Sequence, residues 1–94
     1  MWLIVEGRVG SGHSVTLRKV ISSLLVELSE KGTLGSFYGP RTYSRGTRFL
    51  VAVRGAEERC VPALDRSLRE VVSGCTGVDE LAFYYAGRAV GDEL

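Results

Sequence analysis

Two stretches of this chain are apolar at every consecutive position: Met1-Trp2-Leu3-Ile4-Val5 and Phe49-Leu50-Val51-Ala52-Val53. Strand side chains alternate between two faces, so an unbroken apolar run belongs in the middle of a sheet. Elsewhere the period changes. Leu17, Val20, Ile21, Leu24, Leu25 and Leu28 recur at intervals of three and four, which predicts a helix over Ser14–Lys31 with one buried stripe. Ser11 or Ser14 can cap its start and Gly32 its end. Leu64, Leu68, Val71 and Val72 predict a second helix over Arg59–Ser73, where Pro62 fits only in the first turn and Gly74 follows the last.

The first strand then covers residues 1–9 and the third 48–54. A second, over 33–43, is interrupted by Gly35, Gly39 and Pro40, which belong at a sheet edge. A fourth, over 78–90, contains Leu81-Ala82-Phe83-Tyr84-Tyr85-Ala86. With strands one and three central, right-handed crossovers give the order 4-1-3-2. The expected architecture is an α+β, ferredoxin-like βαββαβ two-layer sandwich, with a four-stranded antiparallel sheet and both helices on one face. Ninety-four residues suit a single domain, 1–94.

Two helices leave one face of the sheet uncovered. Glu6 is a poor core residue, so parity turns Leu3 and Val5 toward the helices and Trp2, Ile4 and Glu6 away. By the same rule Phe49, Val51 and Val53 point inward, as do Leu81, Phe83 and Tyr85. Trp2, Ile4, Leu50, Ala52 and Tyr84 fall on the open face, rimmed by Glu6 and Arg54. A contiguous apolar patch of this kind is rare on a monomer. It predicts an interface with a second copy, or with another protein.

The balance of 45% hydrophobic and 24% charged residues excludes a disordered chain, and a net charge of +1 points to no partner globally. Ten of the twelve cations are Arg, which suits bidentate contacts to phosphate or carboxylate but also follows from base composition. Cys60 and Cys75 flank the second helix, about 20 Å apart, too far to bridge. Without CxxC spacing or a Cys/His cluster, neither a metal nor a cofactor is expected. Met1–Val5 is too short for a signal peptide or membrane span, so no membrane association and a cytoplasmic, reducing location are expected.

Charge is concentrated in one segment. Residues 31–54 hold Lys31, Arg41, Arg45, Arg48 and Arg54 and no acid, a local charge of +5 that leaves −4 on the rest of the chain. Tyr38, Tyr43, Phe37 and Phe49 are interleaved. Arg beside aromatic rings is the chemistry of phosphate neutralisation with base stacking, which marks Tyr38, Arg41, Tyr43, Arg45 and Arg48 as candidate nucleic-acid contacts. The alternative is a solvated hairpin whose Arg residues pair with acids elsewhere. Arg45, Gly46 and Phe49 match the third-strand motif of RNA-recognition domains, but Thr47 and Ala52 stand where its aromatic residues belong.

A second candidate precedes the first helix. Arg8, Gly10, Ser11, Gly12 and His13, with Arg18 one turn on, could place an anion against free N–H groups, although a tight glycine turn explains the same residues. Gly7-Arg8-Val9 resembles the start of the phosphate loop of acylphosphatases, which share this element order. That resemblance implies a catalytic Arg in the loop and an Asn to position water; His13 is nearest to the first, and the chain contains no Asn. No acid–base dyad or nucleophile is apparent, so no catalytic residue is assigned.

Ala63-Leu64-Asp65-Arg66-Ser67-Leu68-Arg69-Glu70-Val71 resembles a helix of the small dimerising subunit of the KEOPS tRNA-modification complex, in its Ala-Leu and Leu-Arg pairs. The resemblance implies an accessory subunit without chemistry of its own. The expectation is therefore a non-catalytic dimeric module, RNA-associated or part of a ribonucleoprotein complex, binding through the basic hairpin. Two alternatives stand beside it: an anion-binding or acylphosphatase-like enzyme using Gly10–Ser14, and a structural subunit using its open sheet face.

Overall fold

A computed structural model describes residues 1–87, so the expected strand residues 88–90 lie outside it. Strands β1 (Trp2–Val9), β2 (Leu34–Tyr43), β3 (Arg48–Gly55) and β4 (Val78–Ala86) form one antiparallel sheet, and helices α1 (Ser14–Glu30) and α2 (Val61–Ser73) supply the second layer. The spatial order β2-β3-β1-β4 is the expected 4-1-3-2 read from the other edge. The fold is α+β and ferredoxin-like.

Register fixes the two faces. Leu3 lies opposite Val53, Val5 opposite Val51 and Gly7 opposite Phe49. All five of these large side chains join a core with Leu17, Ile21, Leu25, Leu64, Leu68 and Val72. Each full burial of such a side chain stabilises by about 1.5–3 kcal/mol. Trp2, Ile4 and Ala52 form a separate cluster on the opposite face, flanked by Tyr38, Leu50 and Ala86. The parity reading therefore holds for both central strands.

The differences lie at the margins. Val20, expected in the α1 stripe, is 37% exposed because it stands at the edge of the helix pair. Leu81 and Tyr85 keep the expected parity but stay exposed, since α2 covers only part of edge strand β4. In place of apolar packing, Tyr85 Oη donates to Asp65 Oδ2, Arg69 Nε donates to Asp65 Oδ1, and the Arg69 guanidinium sits 4.1 Å from the Phe83 ring centroid. The helix caps differ too. A short 3₁₀ turn, Ser11–His13, leads into α1, and Ser14 Oγ donates to the Ser11 carbonyl instead of accepting an amide. A second 3₁₀ turn, Glu58–Cys60, precedes α2, and Pro62 takes its place in the first helical turn.

One irregularity shapes the sheet. Between β1 and β4 the register shifts at Gly7/Arg8, leaving Glu80 as the extra residue of a β-bulge, at φ +52. A Cβ on Gly7 would lie 2.5 Å from the Glu80 carbonyl oxygen and 3.1 Å from the Phe49 ring. Gly7→Ala should therefore destabilise the fold by about 1–3 kcal/mol. At Gly12 nothing lies within 4 Å of such a Cβ. Urea unfolding of Gly7→Ala and Gly12→Ala side by side checks this, and equal midpoints would contradict it.

The Asp65 link gives a pH dependence of known sign. Burial acts to raise the Asp65 pKa, but the Tyr85 hydrogen bond and the Arg69 guanidinium outweigh it and hold it below its ordinary value. A carboxylate depressed in the folded state adds stability above its unfolded pKa and loses it as pH falls through the folded one. Asp65→Asn should cost about 1 kcal/mol at neutral pH. The deficit should shrink below about pH 4. A deficit constant from pH 7 to pH 3 would contradict this assignment.

Candidate functional site

The open sheet face brings together two residue sets that the sequence presents separately. Ladder partners share a face. Ile4, Ala52, Tyr38 and Tyr84 form one cross-sheet row; Glu6, Leu50, Arg41 and Ala82 form the next; Arg8, Arg48 and Tyr43 form a third. The expected interface residues Trp2, Ile4, Leu50, Ala52 and Tyr84 thus share a surface with Tyr38, Arg41, Tyr43 and Arg48. Arg45 does not join them: it occupies the β2–β3 turn at φ +60.

The cations of this face are largely engaged within the chain. Arg8 Nη2 lies 3.1 Å and Arg48 Nη2 4.0 Å from the Glu80 carboxylate, which the bulge turns toward them. Arg41 Nη1 donates to Tyr38 Oη at 3.0 Å. The Arg54 guanidinium stands 5.9 Å from the centroid of the Trp2 ring. This is the solvated-hairpin alternative in detail: arginines paired with acids and rings of the same molecule. Burial, followed by the nearby Glu6 carboxylate and then Tyr43, pushes the Tyr84 hydroxyl pKa up. Trp2, Ile4 and Ala52 are buried within one chain, so the exposed large groups of the face are Tyr84 and Tyr43. The Trp2 indole Nε1 is buried without a hydrogen-bond acceptor among the described residues.

The glycine-loop set is dispersed. Arg8 is on the open face with Glu80, and Arg18 is on the outer surface of α1 beside Val15 and Lys19. Gly10 N–H donates to the Gly77 carbonyl at 3.0 Å, and His13 N–H donates to the Gly10 carbonyl at 2.8 Å. Ser11 and Gly12 are exposed at the turn. His13 faces the groove between α1 and α2, away from Arg8.

Among the described residues, two concavities open between α1 and a neighbouring element, and the sequence pattern pointed to neither. A cleft of about 360 Å³ opens between α1 and β2, lined by Ser22, Leu25, Val26, Ser29, Glu30, Phe37 and Pro40. Its walls are mainly hydrocarbon, with Phe37 56% and Val26 59% exposed. Exposed apolar side chains at helical spacing next to a proline-broken edge strand were the available signal. The second, of about 470 Å³, lies between the N-terminal end of α1 and the C-terminal end of α2, with His13, Val20, Glu70, Val71 and Cys75 around it. Burial pushes the Cys75 thiol pKa up, and its Sγ donates to the Val71 carbonyl at 3.3 Å. Among the described residues, no group of three or more His, Cys, Asp or Glu side chains could hold a metal ion, and no helix is long and apolar enough to cross a membrane. Cys60 and Cys75 are both free.

No family model and no curated protein matches this chain by sequence. Solved structures do match its fold. A candidate antibiotic biosynthesis monooxygenase from Nitrosomonas europaea superposes with a TM-score of 0.69 at 13% identity, over 92% of this chain and 88% of that one. SnoaB from Streptomyces nogalater, a cofactor-independent oxygenase seen in an asparagine-to-alanine variant, gives 0.61 at 8% identity, over 95% and 94%. A candidate antibiotic biosynthesis monooxygenase from Deinococcus radiodurans gives 0.58 at 13% identity, over 96% of each chain.

These likenesses correct two expectations. The neighbours are monooxygenase-type domains, not the small KEOPS subunit, and the helix that suggested that subunit is explained by packing. Leu64 and Leu68 are fully buried core residues of α2, a spacing any amphipathic helix shares. The reading as a non-catalytic, RNA-binding accessory subunit falls with it, and Glu80, shared by Arg8 and Arg48, offsets part of the charge that supported it.

Proposed function

We propose that this chain is a small-molecule oxygenase-type domain whose substrate is a compact, electron-rich, largely apolar molecule held in the α1–β2 cleft. The observation that carries the reading is the superposition of over nine-tenths of the chain on antibiotic biosynthesis monooxygenase structures. The cleft adds to it, with a volume in the range of small-molecule sites. Its apolar walls can cover one side of a bound ring, the Ser22 and Ser29 hydroxyls can orient a polar substituent, and Glu30 is the ionisable group at the rim. This chain has no asparagine, so the residue type altered in the SnoaB variant has no counterpart here.

The test is oxygen uptake with a panel of small, electron-rich aromatic probes, together with a binding titration. Val26 and Phe37 are exposed, so Val26→Arg or Phe37→Asp should leave folding within about 0.5 kcal/mol of the wild type. Either change should reduce binding and uptake by about tenfold or more, the loss of one well-placed apolar contact plus an unpaired charge. Unchanged uptake in both variants would place the reaction elsewhere, and a wild type inert toward a panel of such rings would end the oxygenase reading.

The occupant we propose for the open sheet face is a second copy of the chain. The exposed Tyr43 and Tyr84 rings and the half-buried Leu50 on that face support it. Trp2, Ile4 and Ala52 are already buried, so substitutions there would test folding; Tyr84→Glu, beside Glu6, tests the interface. Sedimentation velocity should show a wild-type dimer and a Tyr84→Glu monomer, and a wild-type monomer at high micromolar concentration would contradict the proposal.

A further inference from the structure

We propose that the groove between the N-terminal end of α1 and the C-terminal end of α2 is a separate binding site for a small organic ammonium ion with an apolar body. The electrostatics of the groove lack a cation. Glu70 stands in the last turn of α2, the negative end of the helix dipole, and no basic residue occupies that turn. No Lys or Arg lines the groove, and Glu70 makes no ion pair among the described residues. Gly74 N–H and Cys75 N–H are spent on the Glu70 and Val72 carbonyls at 3.3 and 3.1 Å, closing the helix end without neutralising it. The exposed Glu70 carboxylate at the edge of the groove is therefore free to pair with a ligand's ammonium group.

The rest of the groove fits such a ligand. Leu17, Val20 and Val71 make an apolar floor, and the 37% exposure of Val20 is hydrocarbon that a bound ring would cover. At the far end the His13 imidazole makes no hydrogen bond among the described residues, so it can meet a polar substituent. Its position is built into the backbone. A Cβ on Gly77 would lie 2.4 Å from His13 Cδ2, and one on Gly10 would lie 3.3 Å away. Gly77 is also at φ +82, a conformation that favours glycine. Two glycines joined by the Gly10–Gly77 hydrogen bond therefore form a cradle that aims the chain's single histidine along the groove. The volume of about 470 Å³ admits a monocyclic amine.

The proposal is independent of the oxygenase reading and is tested without activity. The full ¹⁵N-labelled chain is titrated at neutral pH with 2-phenylethylamine and, in parallel, with 2-phenylethanol, which keeps the ring but lacks the charge. Saturable shifts should appear at Thr16, Val20, Val71 and Cys75, with the amine binding about fivefold tighter than the alcohol or better. Glu70→Gln, an exposed and isosteric change, should remove that preference; His13→Ala should weaken both probes; Arg18→Ala, outside the groove, should change neither. Equal affinity for amine and alcohol, a preference that survives Glu70→Gln, or the absence of shifts in the groove at about 10 mM probe would overturn the site.

Discussion

The pairing register of β1 with β3 is the constraint on which the rest of this molecule depends. Val5 opposite Val51, Leu3 opposite Val53 and Gly7 opposite Phe49 commit the helix side of the sheet to aliphatic and aromatic bulk. A slip of β1 by one residue would put Trp2, Ile4 and Glu6 in place of Leu3, Val5 and Gly7 and bury a carboxylate under the helices. Gly7 is the point where this register meets the bulge. With no Cβ there, the Phe49 ring packs against β1 while the Glu80 carbonyl closes in from β4. The bulge then sends the Glu80 side chain to the far face, where it holds Arg8 and Arg48. These two arginines are direct ladder partners and would repel each other without a shared carboxylate. One backbone device thus serves the packing of one face and the charge balance of the other.

The sequence made the layers legible because their signals are long and periodic. The unbroken apolar runs of β1 and β3, the three–four spacing in α1 and the glycines and proline of β2 each reflect a physical requirement that acts along the whole element. What it hid lies at the ends and edges. Ser11 and Ser14 look like caps, but the 3₁₀ turn reverses the role of the Ser14 hydroxyl. Val20 obeys the helical period and still faces outward, because the period says which side of a helix is apolar and not how far the neighbouring helix extends. Tyr85 has inward parity but reaches only the rim of α2, where Asp65 supplies a polar contact in place of an apolar one.

Sites were harder to read than layers, for a related reason. Tyr38, Arg41, Tyr43 and Arg48 form a recognisable cluster in sequence, and their positive charge looked unopposed because no acid occurs between residues 31 and 54. The opposing carboxylate comes from Glu80, far away in the chain, by way of a bulge that no local pattern announces. Local net charge therefore misled where topology brought a distant acid to the same surface. The loop around His13 shows the converse. Its residues are adjacent in sequence, yet a strand side chain, a turn and a helix point in three directions, so Arg8, His13 and Arg18 never converge.

The distribution of empty space follows from how the centre is filled. Phe49, Val51, Val53, Leu64, Leu68 and Val72 are all fully buried, so the layer between sheet and helices is closed beneath the central strands. An interior this dense leaves no room for a ligand without displacing several large side chains. The two clefts open where α1 loses its neighbour, on one flank against the irregular edge strand β2 and on the other against the end of α2. The same helix therefore presents Leu25 and Val26 to one cleft and Leu17 and Val20 to the other. Fold likeness to oxygenases at 8–13% identity fixes this scaffold and says nothing of what lines it. The chemistry of each flank has to be argued from its own residues: hydrocarbon and hydroxyls beside β2, an unpaired carboxylate and a cradled imidazole beside α2.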